Sequence, residues 1–306
     1  FVVNYARQPV VRLRANGAER KSTVDRSSAC NKFLAENGEQ IELIILQGYL
    51  FFGTADGVAS MIRARISSDS LPSLKYLILD FQHISGADST AISSLIKIHR
   101  IVAAAGATLL ITRLPEKMER TLRLMMGDGS DGERQYLSSP DAALALAEEG
   151  LLYGQESLTN EKTLENYLTA YIGEHPRLPE LIQAMSREVV PPETMLIHHD
   201  NATHDLFVLA KGRVRVQVTH SNGKYQRLRS MMEGAIFGEI AFCLRQTGTA
   251  DVVSETTSVI YRLRSQTFDE LQVSDPELAS LIYEMMAKAL AQKLAIASKA
   301  LKSLGS

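Results

Sequence analysis

The sequence predicts two domains of different fold class: an α/β domain, a sheet with helices packed on it, and then a mainly β domain with flanking helices. Three observations carry this. Up to about residue 155, apolar β-type runs alternate with amphipathic helical stretches, the pattern of a sheet covered by helices. Over 195–264, short β-type runs recur between turn residues such as Lys211-Gly212 and Ser221-Asn222-Gly223, as in a barrel or sandwich. A chain of 306 residues, 45% hydrophobic, is long enough for a separate core in each domain.

The elements follow in order. IELIILQGYLFFG (41–53) is nearly continuous in apolar residues, as buried strands are. TADGVASMIRARI (54–66) is helical, with Val58, Met61, Ile62 and Ile66 on one face. LKYLILDF (74–81) reads as a core strand. After HISGADST a helix runs to about residue 105, with Ile92, Leu95, Ile96, His99 and Val102 along a stripe. Gly106 ends it, and ATLLIT (107–112) returns to a strand. LPEKMERTLRLMM is amphipathic, with Pro115 near its start. The glycine-rich GDGSDG (127–132) reads as a turn, since it lacks the carboxylate spacing of a calcium loop. A short strand at 134–137 and a helix beginning after Ser139 close the region. Residues 156–190 read as a helical connector interrupted by Pro176 and Pro179. The β runs FVLAKGRVRVQV, YQRLRSM and SVIYRLR follow, and DPELASLIYEMMAKALAQKLAIASKAL (275–301) predicts a long amphipathic helix. Its Met, Leu and Ile residues suit core packing or a helix–helix dimer contact.

Charge is balanced, with 33 Lys+Arg against 35 Asp+Glu, which argues against a nucleic-acid partner. Cys30 and Cys243 stand far apart in sequence and predict neither a disulfide scaffold nor a zinc site. No uncharged apolar run approaches the ~20 residues of a membrane helix. The first thirty residues are basic: Arg7, Arg12, Arg14, Arg20, Lys21 and Arg26 face only Glu19 and Asp25. Such a segment is either a solvated surface strip or a juxtamembrane segment on the cytoplasmic side. The chain opens without a methionine and is expected to be a piece of something larger.

Two stretches carry candidate chemistry. Asp88, Ser89 and Thr90 lie between a core strand and a helix. There Asp88 and Ser89 suit capping of unpaired backbone N–H groups, or Ser89 serves as a phosphorylation or anion site at the positive helix end. In FGEIAFCLRQTGTADV (237–252) a glycine and a carboxylate precede small and apolar residues, as in a phosphate cradle.

LILDFQHISGADSTAISSLIKIHRIVAAAGATLLI (77–111) resembles the STAS domain of anti-anti-sigma factors and SulP anion transporters. Asp80 and the Asp88-Ser89 pair match its strand-end aspartate and its D-S-[ST] helix opening, and the matching serine is the phosphoacceptor in the sigma regulators. Ala91 replaces the glycine usual there. FVVNYARQPVVRLRANGAERKSTVDRS (1–27) and LQGYLFFGTADGV (46–58) look like the stretch after the last membrane helix of bacterial SulP transporters. This resemblance spans residues 1 to about 155 and favours the juxtamembrane reading. It divides the chain into a basic lead with the first STAS strands (1–40), the STAS domain (41–155), the connector and a final domain at 191–306.

PPETMLIHHDNATHDLFVLAKGRVRV (191–216) and the 237–252 stretch resemble the cyclic-nucleotide-binding fold, a β-roll or jelly roll. Gly238, Glu239, Ile240, Ala241, Thr249 and Ala250 fit its phosphate-binding cassette, and residues 275–301 match its lid helix. In that family the glutamate accepts from the ribose 2′-hydroxyl and an arginine before [ST]-A binds the phosphate. Here that position is Gly248. A lost charge-assisted hydrogen bond costs roughly 1.5–3 kcal/mol, so no cofactor is expected and a cyclic nucleotide is the alternative. Arg245 is the nearest cation in sequence.

His198, His199 and His204 in LIHHDNATH invite a metal reading, but adjacent residues of a strand face opposite sides, and no metal is expected. No nucleophile–base or metalloenzyme motif occurs, so no enzyme is expected. Together the resemblances imply the cytosolic regulatory region of a SulP-type anion transporter, homodimeric, with the transporter's own membrane domain as partner. A cytosolic regulatory protein is a further partner they imply. The alternatives are a soluble STAS phospho-switch acting at Ser89 and a cyclic-nucleotide sensor.

Overall fold

A computed structural model describes residues 9–126, 134–153, 163–200, 204–219 and 225–305. GDGSDG and Ser221-Asn222-Gly223 lie outside the described residues. The chain divides into two compact units: residues 1–22 with 34–153 and 302–306, and residues 23–33 with 154–301.

In chain order the elements begin with β1 (Val11–Asn16), β2 (Val24–Asp25), α1 (Ser28–Asn37), β3 (Ile41–Leu50) and α2 (Phe52–Ile66). β4 (Tyr76–Ala87), α3 (Ser89–Ala104), β5 (Thr108–Thr112), α4 (Glu116–Met126), β6 (Arg134–Leu137) and α5 (Pro140–Leu152) follow. The first unit holds a five-stranded mixed sheet, order β1-β3-β4-β5-β6, with β1 antiparallel to β3 and the other pairings parallel. Period-two alternation sends Ile44 and Leu46 of β3 to the face covered by α2, α3 and α4. Leu43 and Ile45 go to the opposite face, against Ala143, Leu144 and Ala147 of α5. Both faces are therefore buried, which is why β3 reads as a continuous apolar run.

Two buried carboxylates brace this unit. Glu42 accepts from Arg14 Nε and pairs with Arg65 Nε at 3.0 Å. Arg65 also donates to the carbonyls of Glu39 and Pro72. Asp80 is fully buried and takes Arg113 bidentately, at 2.7 and 2.6 Å, with the Thr112 hydroxyl at 2.7 Å. Arg113 holds φ +53°, a left-handed conformation that aims its side chain back at the strand.

The second unit contains α6 (Leu164–Ile172), α7 (Leu178–Gln183), β7 (Ser186–Val190), β8 (Met195–Ile197), β9 (Leu206–Lys211), β10 (Val214–Thr219) and β11 (Tyr225–Met231). It continues with β12 (Ile236–Phe237), α8 (Glu239–Leu244), β13 (Asp251–Ser254), β14 (Ser258–Leu263), α9 (Ser265–Ser274) and α10 (Pro276–Gly305). Two sheets, β2-β11-β10-β13-β8 and β12-β9-β14-β7, close over Ile197, Phe207, Leu209, Val214, Phe237 and Ile260. The helices cover a second core in which Leu168, Leu206, Phe242, Phe268, Ile282 and Met285 meet.

The strand β2 comes from the basic lead. It runs parallel to β11, with Val24 opposite Ser230 and Asp25 opposite Met231. The Asp25 carbonyl accepts from the Met232 amide at 2.7 Å, and its carboxylate pairs with Arg229 at 3.0 Å.

Removing the Asp80 carboxylate strands the Arg113 guanidinium and the Thr112 hydroxyl. Breaking a buried pair costs about 3–5 kcal/mol, but the Arg113 side chain is 30% exposed and keeps some water. Asp80→Ala is expected to lower stability in urea by about 2–3 kcal/mol, and an unchanged midpoint would contradict the bracing role.

Candidate functional site

The cassette forms where β12 turns into α8. Gly238 has φ +84°, and a Cβ there would lie 2.4 Å from the Asp205 carbonyl oxygen, so only glycine fits. Glu239 opens α8 and is buried. Its Oε1 accepts from Lys293 Nζ of α10 at 3.0 Å, and the same ammonium donates to the Ile236 carbonyl at 2.7 Å. The carboxylate expected to meet a ribose hydroxyl is thus held by an internal cation.

A cavity of about 100 Å³ is lined by Met231, Gly238, Glu239, Gly248, Thr249 and Ala250, with Ile240 and Ala241 also on its wall. The structure thereby brings together all the cassette residues predicted from sequence. Small-molecule pockets usually run about 300–1,000 Å³, so this cavity is tight for a nucleotide. Gly248 is not among the glycines with positive φ, so its backbone does not demand glycine. A Cβ there would meet Ile197 Cγ2 at 3.1 Å and the His198 carbonyl at 3.6 Å. Arg245 ends α8 in a left-handed conformation, bonds Asp269 and lies over the Phe242 ring. Its guanidinium is engaged there rather than at the cassette.

In the first unit Asp88 caps α3. Its Oδ1 accepts from the Thr90 amide at 2.9 Å, the Ala91 amide at 3.0 Å and the Thr90 hydroxyl at 2.6 Å. The Thr90 hydroxyl, more than the two amides, holds the Asp88 carboxyl below its usual range. Asp88 and Thr90 are tied to the cap, and Ser89 stands exposed on the first turn of this 16-residue helix.

The histidines depart from the expectation that alternation separates them. His198 and His199 lie past the end of β8, in a turn, where strand alternation no longer applies. Their rings stack with centroids 4.9 Å apart and planes 17° from parallel. Together with Asp200 they offer three ligand atoms within 4.8 Å of one another. His199 Nδ1 lies 2.7 Å from Oδ1 of Asp251, a buried carboxylate that also accepts from the His199 amide at 3.0 Å and the Thr219 hydroxyl. Nothing in the spacing LIHHDNATH pointed to this turn.

Residues 34–128 match the family of the STAS domain, and residues 187–275 match that of the cyclic nucleotide-binding domain. The chain is a STAS domain followed by a cyclic nucleotide-binding domain. Over 164 residues it is 27% identical to the vacuolar basic amino acid transporter VSB1 of Saccharomyces cerevisiae, covering 52% of this chain and 16% of that protein. Over 277 residues it is 23% identical to Glutaminase 1 of Bradyrhizobium diazoefficiens, covering 87% of this chain and 42% of that protein. The chain therefore spans less than half the length of either curated relative. Among solved structures, the catabolite activator protein of Thermus thermophilus is similar at 22% identity, with a TM-score of 0.38, over 45% of this chain and 63% of that one. The cassette lies within the cyclic nucleotide-binding match and Asp88 to Thr90 within the STAS match. No helix among the described residues is long and apolar enough to cross a membrane.

Burial alone would raise the Asp251 carboxyl. The Thr219 hydroxyl and the amide and ring of His199 outweigh it and lower the group from 3.8 to about 2. A depressed carboxyl stabilises the fold above its unfolded value and loses that contribution as pH falls through the folded one. The cyclic nucleotide-binding domain is therefore expected to lose stability as pH falls from about 4 to about 2. Asp251→Asn should flatten that slope in denaturation series followed across this range.

Proposed function

We propose that the chain is the non-catalytic regulatory and assembly region of a SulP-type anion transporter, for a sulfate- or bicarbonate-like ion. It sits at the cytoplasmic face of the membrane as part of that protein, forms a homodimer, and relays a cytosolic signal to the membrane domain. The observation that carries the regulatory part is the pairing of two signal-reading domains in one chain. The transporter among the relatives and the basic lead support the host. Ser89, exposed at a positive helix end, is where a modification would act in this reading and in the alternative of a free phospho-switch.

A second host is favoured by one observation: the similarity to Glutaminase 1 runs through both domains. The coding sequence upstream of Phe1 separates the two. A series of apolar runs of about 20 residues is expected for the transporter. A glutaminase-like domain there would overturn that host and leave the regulatory role standing.

Within this reading the nucleotide domain works without its usual ligand, because Lys293 occupies Glu239 and position 248 has no side chain. Cyclic AMP and cyclic GMP, titrated to millimolar concentration in a calorimeter, are expected to give no binding heat. Gly248→Arg combined with Lys293→Ala should give binding heat under the same conditions, where the unaltered chain gives none, since a restored charge-assisted bond is worth at least about tenfold in affinity. Micromolar binding by the unaltered chain would instead establish a cyclic-nucleotide sensor.

A further inference from the structure

We propose that His198, His199 and Asp200 form a binding site for a divalent transition-metal ion of the zinc class, at the turn that abuts the cassette. The argument begins with His199. Its Nδ1 lies 2.7 Å from the buried Asp251 carboxylate, which holds a proton on that nitrogen and turns Nε2 outward, toward Asp200. A carboxylate behind a ligating imidazole is the arrangement that orients histidines for metals and raises their basicity.

The Nε2 atom lies 3.3 Å from Asp200 Oδ1. Ligand atoms around a tetrahedral zinc with bonds near 2.0–2.1 Å stand roughly 3.4 Å apart. Two of the three ligands are therefore already at the spacing a metal requires. A proton on Nε2 bridges this pair when no metal is bound, and a metal ion would take the place of that proton.

The third ligand comes from the stacked ring. His198 Nδ1 now accepts a long bond from the Asp200 amide at 3.2 Å, and it would exchange that bond for the metal. All three ligand atoms lie within 4.8 Å of one another, and the Asp200 side chain, 75% exposed, is free to rotate and close the remaining gap. Two imidazoles and one carboxylate suit zinc, nickel or copper(II) rather than magnesium or calcium, which prefer all-oxygen shells. A fourth position stays open to water.

The location gives the ion a consequence. Asp251 directly follows Ala250 of the cassette, and the His198 carbonyl lies 3.6 Å from the point where a side chain at position 248 would begin. A metal bound here would tie the β8 turn to the start of β13 and stiffen the loop that closes the pocket.

The test is titration of Zn²⁺ alone into the full 306-residue chain, in a non-chelating buffer, followed by calorimetry. One saturable site of micromolar affinity is expected. His198→Ala and Asp200→Asn should each weaken it by about tenfold or more. Both replace side chains at an accessible turn, and far-UV circular dichroism checks that the fold is kept. Co²⁺ in place of zinc should give visible absorption of four-coordinate nitrogen and oxygen ligation, lost in both variants. Absence of saturable uptake would overturn the proposal, as would uptake unchanged in both variants, which would put the ion elsewhere.

Discussion

A carboxylate taken out of water has to be answered by hydrogen-bond donors or a cation, and in the nucleotide-type domain the cation that answers Glu239 fixes the C-terminal helix on the barrel. Glu239 sits at the first position of α8, buried, and Lys293 reaches it from α10. Lys293 lies 17 residues beyond Pro276, roughly 26 Å along the helix. Its ammonium arrives at the pocket only if the whole intervening helix lies along the domain. Leu278, Ile282, Met285, Met286 and Ala289 bury that length at helical spacing. Apolar packing supplies the stabilisation, about 1.5–3 kcal/mol for each large side chain fully buried. The ion pair supplies the register, since a slip of one residue would leave the carboxylate without its partner.

The STAS domain meets the same requirement with arginines. Glu42, between Arg14 and Arg65, joins the edge strand β1 and the helix α2 to the neighbouring strand β3. Asp80 joins β4 to the residue just past β5 through Arg113. In the second unit Asp25 and Arg229 pin β2 beside β11. Each pair links segments distant in sequence, and the planar guanidinium suits the bidentate geometry at Asp80. Lysine, a flexible point charge, serves at Glu239, where one ammonium must satisfy a carboxylate and a carbonyl together.

This division explains what could be read from the sequence. Periodicity and turn residues gave the core strands and helices of both units, because those signals are local. β4 nevertheless runs on through His83 to Ala87, where a loop was expected, because β3 pairs with it as far as Leu50. The strand at Val24–Asp25 has only two residues and exists through its bonds to β11, so no local pattern announces it. Arg65 lies on a helix whose buried face reads as purely apolar, and it is buried because Glu42 waits opposite. The cassette residues were legible because the glycine and carboxylate must be adjacent in sequence. The partner of Glu239 was not, because 54 residues separate it from Lys293. The histidine turn was hidden for a third reason: whether neighbours face apart or stack depends on where the strand stops.

The internal pair also bears on why glycine can stand at position 248 without loss of the fold. In a domain whose glutamate and phosphate-binding cation are satisfied by a ligand, part of the folded state's stability follows ligand concentration. Here the glutamate is satisfied from within the chain at every concentration. No arginine at position 248 needs a counter-ion, because none is present, and Arg245 is neutralised at Asp269 instead. Among the described residues that line the cassette, no charge is therefore left waiting for a nucleotide. A signal entering through this site must separate Lys293 from Glu239. Whatever does so acts on α10 at the same moment, because the ammonium that leaves the pocket is carried by that helix.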